Sequence, residues 1–228
     1  MTSERRTICV TVDLDPAPSY HEIHGLAAPP AALAHRFTRV ALPRFRALFE
    51  DLGVRATLFV VGQDLADPEV VAGLVAARAA GHEIANHTFG HPYRFLDLPP
   101  VDQASEIGRG HEAITAALGA TPVGFRAPGY VIEAPALAAL IRLGYRYDAS
   151  MLPSVPYYVA KAAAMAWMRL RGRPSRARLH ALTCLLAPAR PYRPDPVRPW
   201  RQGEARIHCL PGASLALGVP LVGTFLGA

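Results

Sequence analysis

The chain has 228 residues, 51% of them apolar, which suits one medium-sized domain with a substantial core and excludes a disordered or fibrous protein. Its three cysteines, Cys9, Cys184 and Cys209, have no zinc-finger spacing and read as free thiols of a reducing, cytoplasmic compartment. The formal charge of +6 is unevenly placed: residues 1–160 carry 13 basic and 16 acidic residues, whereas residues 161–228 carry 11 basic and 2 acidic ones.

The opening stretch MTSERRTICV has a charged lead, but its apolar part breaks at Asp13, too early for the apolar core of a signal peptide. TICVTVDLD (7–15) reads as a strand, with Asp13 and Asp15 at its exit. AALAHRFTRVALPRFRALFEDLG (31–53) has helical spacing, with a break or kink expected at Pro43. RATLFVVG (55–62) is a continuous apolar run, as expected of a strand covered on both faces. Asp67 is placed to cap a helix over 68–81 that closes on Gly81. A short strand HEIANH (82–87) follows, then a helix over 101–118, a strand VGFRAPG (123–129), a helix over 134–144 and a strand YRYDAS (145–150).

Strands separated by helices of this length predict a parallel sheet of βαβ units, either a barrel or a doubly wound sheet. Both architectures carry their chemistry at the carboxyl ends of the strands. Asp13, Asp15, His87, Arg126 and Asp148 all fall at or near such ends. From residue 151 the rhythm changes to helical pieces separated by proline and arginine, read as an insertion or flap over 151–205 within a single domain. A return strand ARIHCLP (205–211) and a small-residue tail from Gly212 complete the chain. No run approaches the ~20 apolar residues of a membrane span. The basic stretch 161–180 suits a phosphate-bearing lipid or an acidic partner, and equally a plain solvated helix face; it lacks a nucleic-acid recognition pattern.

HEIANHTFGHPY places His87 and His91 four residues apart, on one face if the stretch is helical, a spacing that suits two nitrogen ligands on one divalent metal. Two histidines and one carboxylate leave room for water and substrate, the mark of a catalytic rather than a structural metal. The aspartates then divide the work: one binds the metal and the other takes the proton of the attacking water. Arg126 is the candidate to pair with that base. Tyr157, Tyr158, Trp167 and Trp200 could stack on sugar rings, although core packing is the commoner fate of such residues. His21 and His24 lie just after the acidic doublet and suit substrate contact or plain surface equally.

The order of these motifs resembles the polysaccharide deacetylase family, the NodB homology group of carbohydrate esterases. TVDLDP stands where the family has T-F-D-D-G-P, in a spaced D-x-D form; ATLFVVG resembles its second strand, HTFGHP its H-[ST]-x-x-H-P motif and RAPGY its R-x-P-[YW] motif. The resemblance covers residues 7–150 and implies a distorted (β/α) barrel of about seven strands. It implies Asp13 as catalytic base, Asp15, His87 and His91 as ligands of one divalent ion, usually zinc, Arg126 as orienter of Asp13, and Tyr130 at the acetyl pocket; Asp148, outside these motifs, is read from its strand-end position as belonging to the edge of the substrate pocket. The implied reaction is hydrolysis of a non-peptide amide, foremost N-deacetylation of a saccharide or saccharide conjugate, phosphate- or lipid-linked forms included. An allantoinase-like small-amide hydrolase and a non-catalytic metal-binding module are the alternatives. The family's closing L-x-H strand, which supplies the general acid, is not found; His208 in ARIHCLP is the candidate substitute, and the barrel is expected to be incomplete at its C-terminal end.

Overall fold

Strand β1 (Val10–Leu14) pairs in parallel with β2 (Ala56–Val60), with Asp13 opposite Phe59. The computed structural model describes residues 8–92, 94–172 and 182–212. The first seven residues, the arginines at 173, 176 and 178, and the tail from Ala213 lie outside them. Four further strands, β3 (Glu83–Asn86), β4 (Gly124–Phe125), β5 (Tyr147–Asp148) and β6 (His208–Cys209), extend the sheet. All six are parallel and stand in chain order, β1 to β6.

That order settles the architecture. A doubly wound sheet reverses its strand order where the helices change face. Here the order never reverses, so successive right-handed crossovers keep the helices on one side, as in a barrel. Among the described residues the sheet has six strands rather than about seven, and β6 does not pair with β1.

Two helices depart from expectation. A short α1 (Ala17–Ile23), for which no helix is predicted, starts immediately after the acidic doublet, with Pro16 at its cap. After the one-turn α2 (Ala31–Ala34), α3 runs unbroken from Arg36 to Asp51 through Pro43. An interior proline costs about 3 kcal/mol in isolation. Leu42 and Phe49 are buried on the β2–α4 side, and Phe45 packs against them, so burial of that stripe outweighs the lost backbone bond. α4 (Pro68–Ala79) begins as expected: the Asp67 carboxylate accepts from the N–H groups of Glu69 and Val70. α5 (Pro100–Leu118) crosses close over the end of β3. There a side chain on Gly110 would sit 2.4 Å from Asn86 Oδ1, so only glycine allows the approach.

Two apolar clusters hold these layers together. One joins β1 and β2 to α3 and α4 through Leu14, Leu58, Leu42, Phe49, Val70 and Leu74. The other joins β4 and β6 to α6 (Ala134–Arg142) through Phe125, Leu137, Leu140, Tyr145 and Cys209. The region read as an insertion contributes to the second cluster. Its helix α7 (Val155–Leu170) buries Tyr157 and Tyr158, the segment after it buries Cys184 and Tyr192, and Tyr192 bridges antiparallel to Cys209 on β6.

Candidate metal centre

The exits of β1, β3 and β4 meet above the sheet. Asp15 is one residue past β1, His87 one past β3 and Arg126 one past β4. The Nε2 atoms of His87 and His91 each lie 3.3 Å from Asp15 Oδ1. Both rings are buried, and Asp15 Oδ1 is buried without a hydrogen-bond partner.

The two imidazoles reach this point without a helix. Residues 87–91 form an irregular loop in which Thr88 and His91 both have positive φ, 68° and 51°. The loop is pinned from three sides. His87 N donates to Val60 O at 2.9 Å, Gly62 N to Thr88 O at 3.0 Å and Gly90 N to a Glu106 carboxylate oxygen at 2.7 Å. Strain of this kind persists only where surrounding bonds fix it. The expectation of one helical face is therefore corrected, while the convergence it was meant to explain is present.

Orientation of His87 follows from its second nitrogen. Nδ1 lies 2.7 Å from the Arg126 carbonyl, which can only accept, so Nδ1 carries a proton and, in the neutral ring, Nε2 turns a lone pair toward Asp15. A lone pair facing an unpaired carboxylate oxygen calls for a cation between them. A tetrahedral ion with bonds of about 2.0–2.1 Å sets its ligands about 3.3 Å apart. The residues present therefore fit a divalent cation with Asp15, His87 and His91 as ligands, all three donor atoms lying within 4.8 Å of one another. The electrostatics carry the same imbalance. Burial works against charge on His87, but Asp13 and Asp15 outweigh it and raise its pKa above the ordinary value. Burial likewise works to raise the Asp15 carboxyl, yet His91 and His87 together hold it far below the usual carboxylate range.

Asp13 occupies the adjoining position. Arg126 Nη1 donates to its Oδ1 at 2.6 Å and the Tyr130 hydroxyl to its Oδ2 at 2.9 Å. Arg126 is itself held by Thr11 Oγ1, by the Ala149 carbonyl and by the face of Phe59, 4.1 Å from the ring centroid. Tyr130 has a positive φ of 62° after Gly129, a tight turn that aims the hydroxyl inward. Burial and then Asp13 push the Tyr130 phenol pKa upward, which keeps it a donor.

Two expected residues stand elsewhere. His208 is exposed on β6, opposite Tyr147, and no hydrogen bond or ion pair among the described residues joins its ring to the cluster. Asp148 is buried beneath the site, bonded to the N–H and hydroxyl of Ser150. Ser150 Oγ in turn accepts from Ala127 N at 2.8 Å, which ties β5 to the strand end bearing Arg126. Tyr157 and Tyr158 are buried, Trp200 packs against the core and Trp167 is exposed. His21 bonds the Ala27 carbonyl, 2.6 Å away. Sequence reasoning missed Thr11, Ser150 and Phe59; two-residue periodicity along β1 would have placed Thr11 on the face of Asp13.

Residues 3–147 match the family model described as polysaccharide deacetylase. The chain belongs to the polysaccharide deacetylase family. The match takes in Asp13, Asp15, His87, His91, Arg126 and Tyr130 and stops one residue before Asp148. Among solved structures, a Mycobacterium smegmatis protein assigned to the polysaccharide deacetylases shares the fold, with TM-score 0.62 and 19% identity over 96% of this chain and 65% of that one. A family 4 carbohydrate esterase from Streptomyces lividans, in complex with acetate, aligns at 26% identity and TM-score 0.43, covering 62% of this chain and 60% of that one. The chitin deacetylase of Colletotrichum lindemuthianum aligns at 24% identity and TM-score 0.47, covering 61% and 53%. This family member thus spans between half and two thirds of the length of the three.

Proposed function

We propose that the chain is a divalent-metal-dependent amide hydrolase that removes an acetyl group from the nitrogen of a saccharide or saccharide conjugate. The observation that carries this is the three-donor cluster of Asp15, His87 and His91 with Asp13 beside it and held by two other groups. Family membership supports the reaction class.

Asp15, His87 and His91 would hold the ion, with zinc favoured by the two imidazoles and one carboxylate. When bound, such an ion lowers the pKa of a water toward about 7 and polarises the acyl oxygen. Asp13 takes the proton of the attacking water as general base, and Arg126 and Tyr130 hold its carboxylate in place. Tyr130, whose hydroxyl donates to Asp13, lines the acyl side of the pocket. With His208 exposed and apart from the cluster, Asp13 is also the group placed to return the proton to the departing amine. Asp148 acts through Ser150 as a positioning residue for the Arg126 strand end. The free cysteines favour a cytoplasmic site of action, and with it a phosphate- or lipid-linked sugar intermediate as substrate.

Acetate release from N-acetylated oligosaccharides and from N-acetylated sugar phosphates, measured beside ureides, tests the reading. Zinc-dependent release from the sugars, abolished in Asp13→Asn, is expected. Release from ureides alone would favour the small-amide hydrolase instead. Stoichiometric metal with no turnover of any amide would favour a binding module, the second reading that the position of His208 supports.

A further inference from the structure

Helix α7 is amphipathic in the wrong sense for a helix facing water. Its packed side carries the buried Tyr157 and Tyr158 together with Lys161, whose ammonium lies 6.0 Å from the Tyr157 ring. Its outer side carries Val155, Val159, Ala163, Ala166, Trp167 and Leu170, each three or four residues from another of the set, which form one stripe. Val159 is 62% exposed, Trp167 56% and Leu170 83%. Among the described residues the stripe is exposed, with Arg171 against Trp167 at its end, and no charged side chain interrupts it before Arg169. At 16 residues the helix is about 24 Å long, and no helix among the described residues is long and apolar enough to cross a membrane.

The charge at its end identifies what covers it. Arg169 and Arg171 close the helix, Arg171 lies over the Trp167 ring at 4.3 Å, and neither meets a carboxylate among the described residues. The 11 basic and 2 acidic residues of positions 161–228 put this part of the chain at strong positive charge. An apolar stripe with an interfacial tryptophan and terminal arginines is the pattern of a helix lying in the headgroup region of an anionic bilayer. We propose that the outer face of α7 docks on an anionic phospholipid surface.

The docking has a consequence for the site. The root of α7 touches the catalytic cluster, since the Tyr157 ring packs edge-on to Tyr130 at 6.3 Å and Tyr130 bonds Asp13. Docking of α7 would therefore hold the helix whose inner face packs on Tyr130 at a surface that carries lipid-phosphate-linked sugars. This last step rests on the hydrolase reading; the docking itself does not.

Co-sedimentation of the full chain with vesicles of phosphatidylcholine alone, and of phosphatidylcholine with phosphatidylglycerol, tests the docking. Trp167 fluorescence is followed in a Trp200→Phe background, which leaves it the lone tryptophan of the two. Binding to the phosphatidylglycerol vesicles with a blue shift is expected, lost in Val159→Glu and weakened about fivefold by each of Arg169→Gln and Arg171→Gln. Leu170→Glu repeats the first test at a second exposed position, and circular dichroism checks that both variants fold. Absence of binding by the wild type, wild-type binding by both glutamate variants, or equal binding to phosphatidylcholine alone would overturn the proposal. So would self-association that the glutamate variants abolish without any vesicle binding, which would make a second copy of the chain the occupant. His87→Ala must bind vesicles as the wild type does, so a negative result here leaves the metal and acetate assays to judge the hydrolase separately.

Discussion

Asp13 and Asp15 stand two residues apart and have unlike surroundings. Asp15 has a buried, unpartnered oxygen facing two imidazoles, while both oxygens of Asp13 already accept from Arg126 and Tyr130. On the proposed reading that contrast makes Asp15 the ligand and Asp13 the base, a choice the spaced D-x-D pattern alone leaves open. It makes two substitutions behave differently. Asp15→Asn should lower bound zinc in the purified protein from one equivalent to a small fraction, read by elemental analysis. Asp13→Asn should keep its zinc and lose about 10²–10⁴-fold in kcat for acetate release. The six motif residues were legible because each motif ties a residue type to a strand exit. Asp148 was legible as a strand-end acid but not in its bonding, because its surroundings depend on Ser150 and on the partner strand β4.

Between elements, the site depends on how closely strands and helices approach. Gly110 lets α5 rest on Asn86 and Thr88 at the end of β3, next to His87. Gly110→Ala should cost about 1–3 kcal/mol in stability by overpacking, measured by denaturant unfolding, and should weaken zinc binding through displacement of the 87–91 loop. The Asp148–Ser150 tie between β5 and β4 is pH-sensitive. Burial raises the Asp148 pKa from 3.8 to about 6, against the opposing effect of the Ser150 bonds. Because the folded value lies above the unfolded one, the neutral acid stabilises the fold fully below about pH 4, and this contribution is lost as pH rises through about 6. The wild type should thus lose on the order of 2–3 kcal/mol relative to Asp148→Asn across that window, as read from urea midpoints at a series of pH values. Strands β1 to β3 and helices α4 and α5 were legible from apolar runs and caps. The unbroken α3 was not, because packing of Leu42, Phe45 and Phe49 outweighs the local signal of Pro43. Nor was the 87–91 loop, whose positive φ values are imposed by bonds from β2 and α5.

Over the whole molecule, the alternation of strands and helices predicted a parallel sheet but not its winding. Strand order is a tertiary property, and the unreversed order β1 to β6 is what makes the fold barrel-like. The charge asymmetry was visible in composition, whereas the apolar outer stripe of α7 needed the structure, because only packing reveals which side of an apolar helix is covered. The central claim is that one cation joins the two halves of the site. Calorimetric titration of zinc into chelator-stripped wild type and His91→Ala tests it most directly. One tight equivalent in the wild type, weakened at least a hundredfold in the variant, is the result the account predicts; equal binding by both proteins, or none by the wild type, would contradict it.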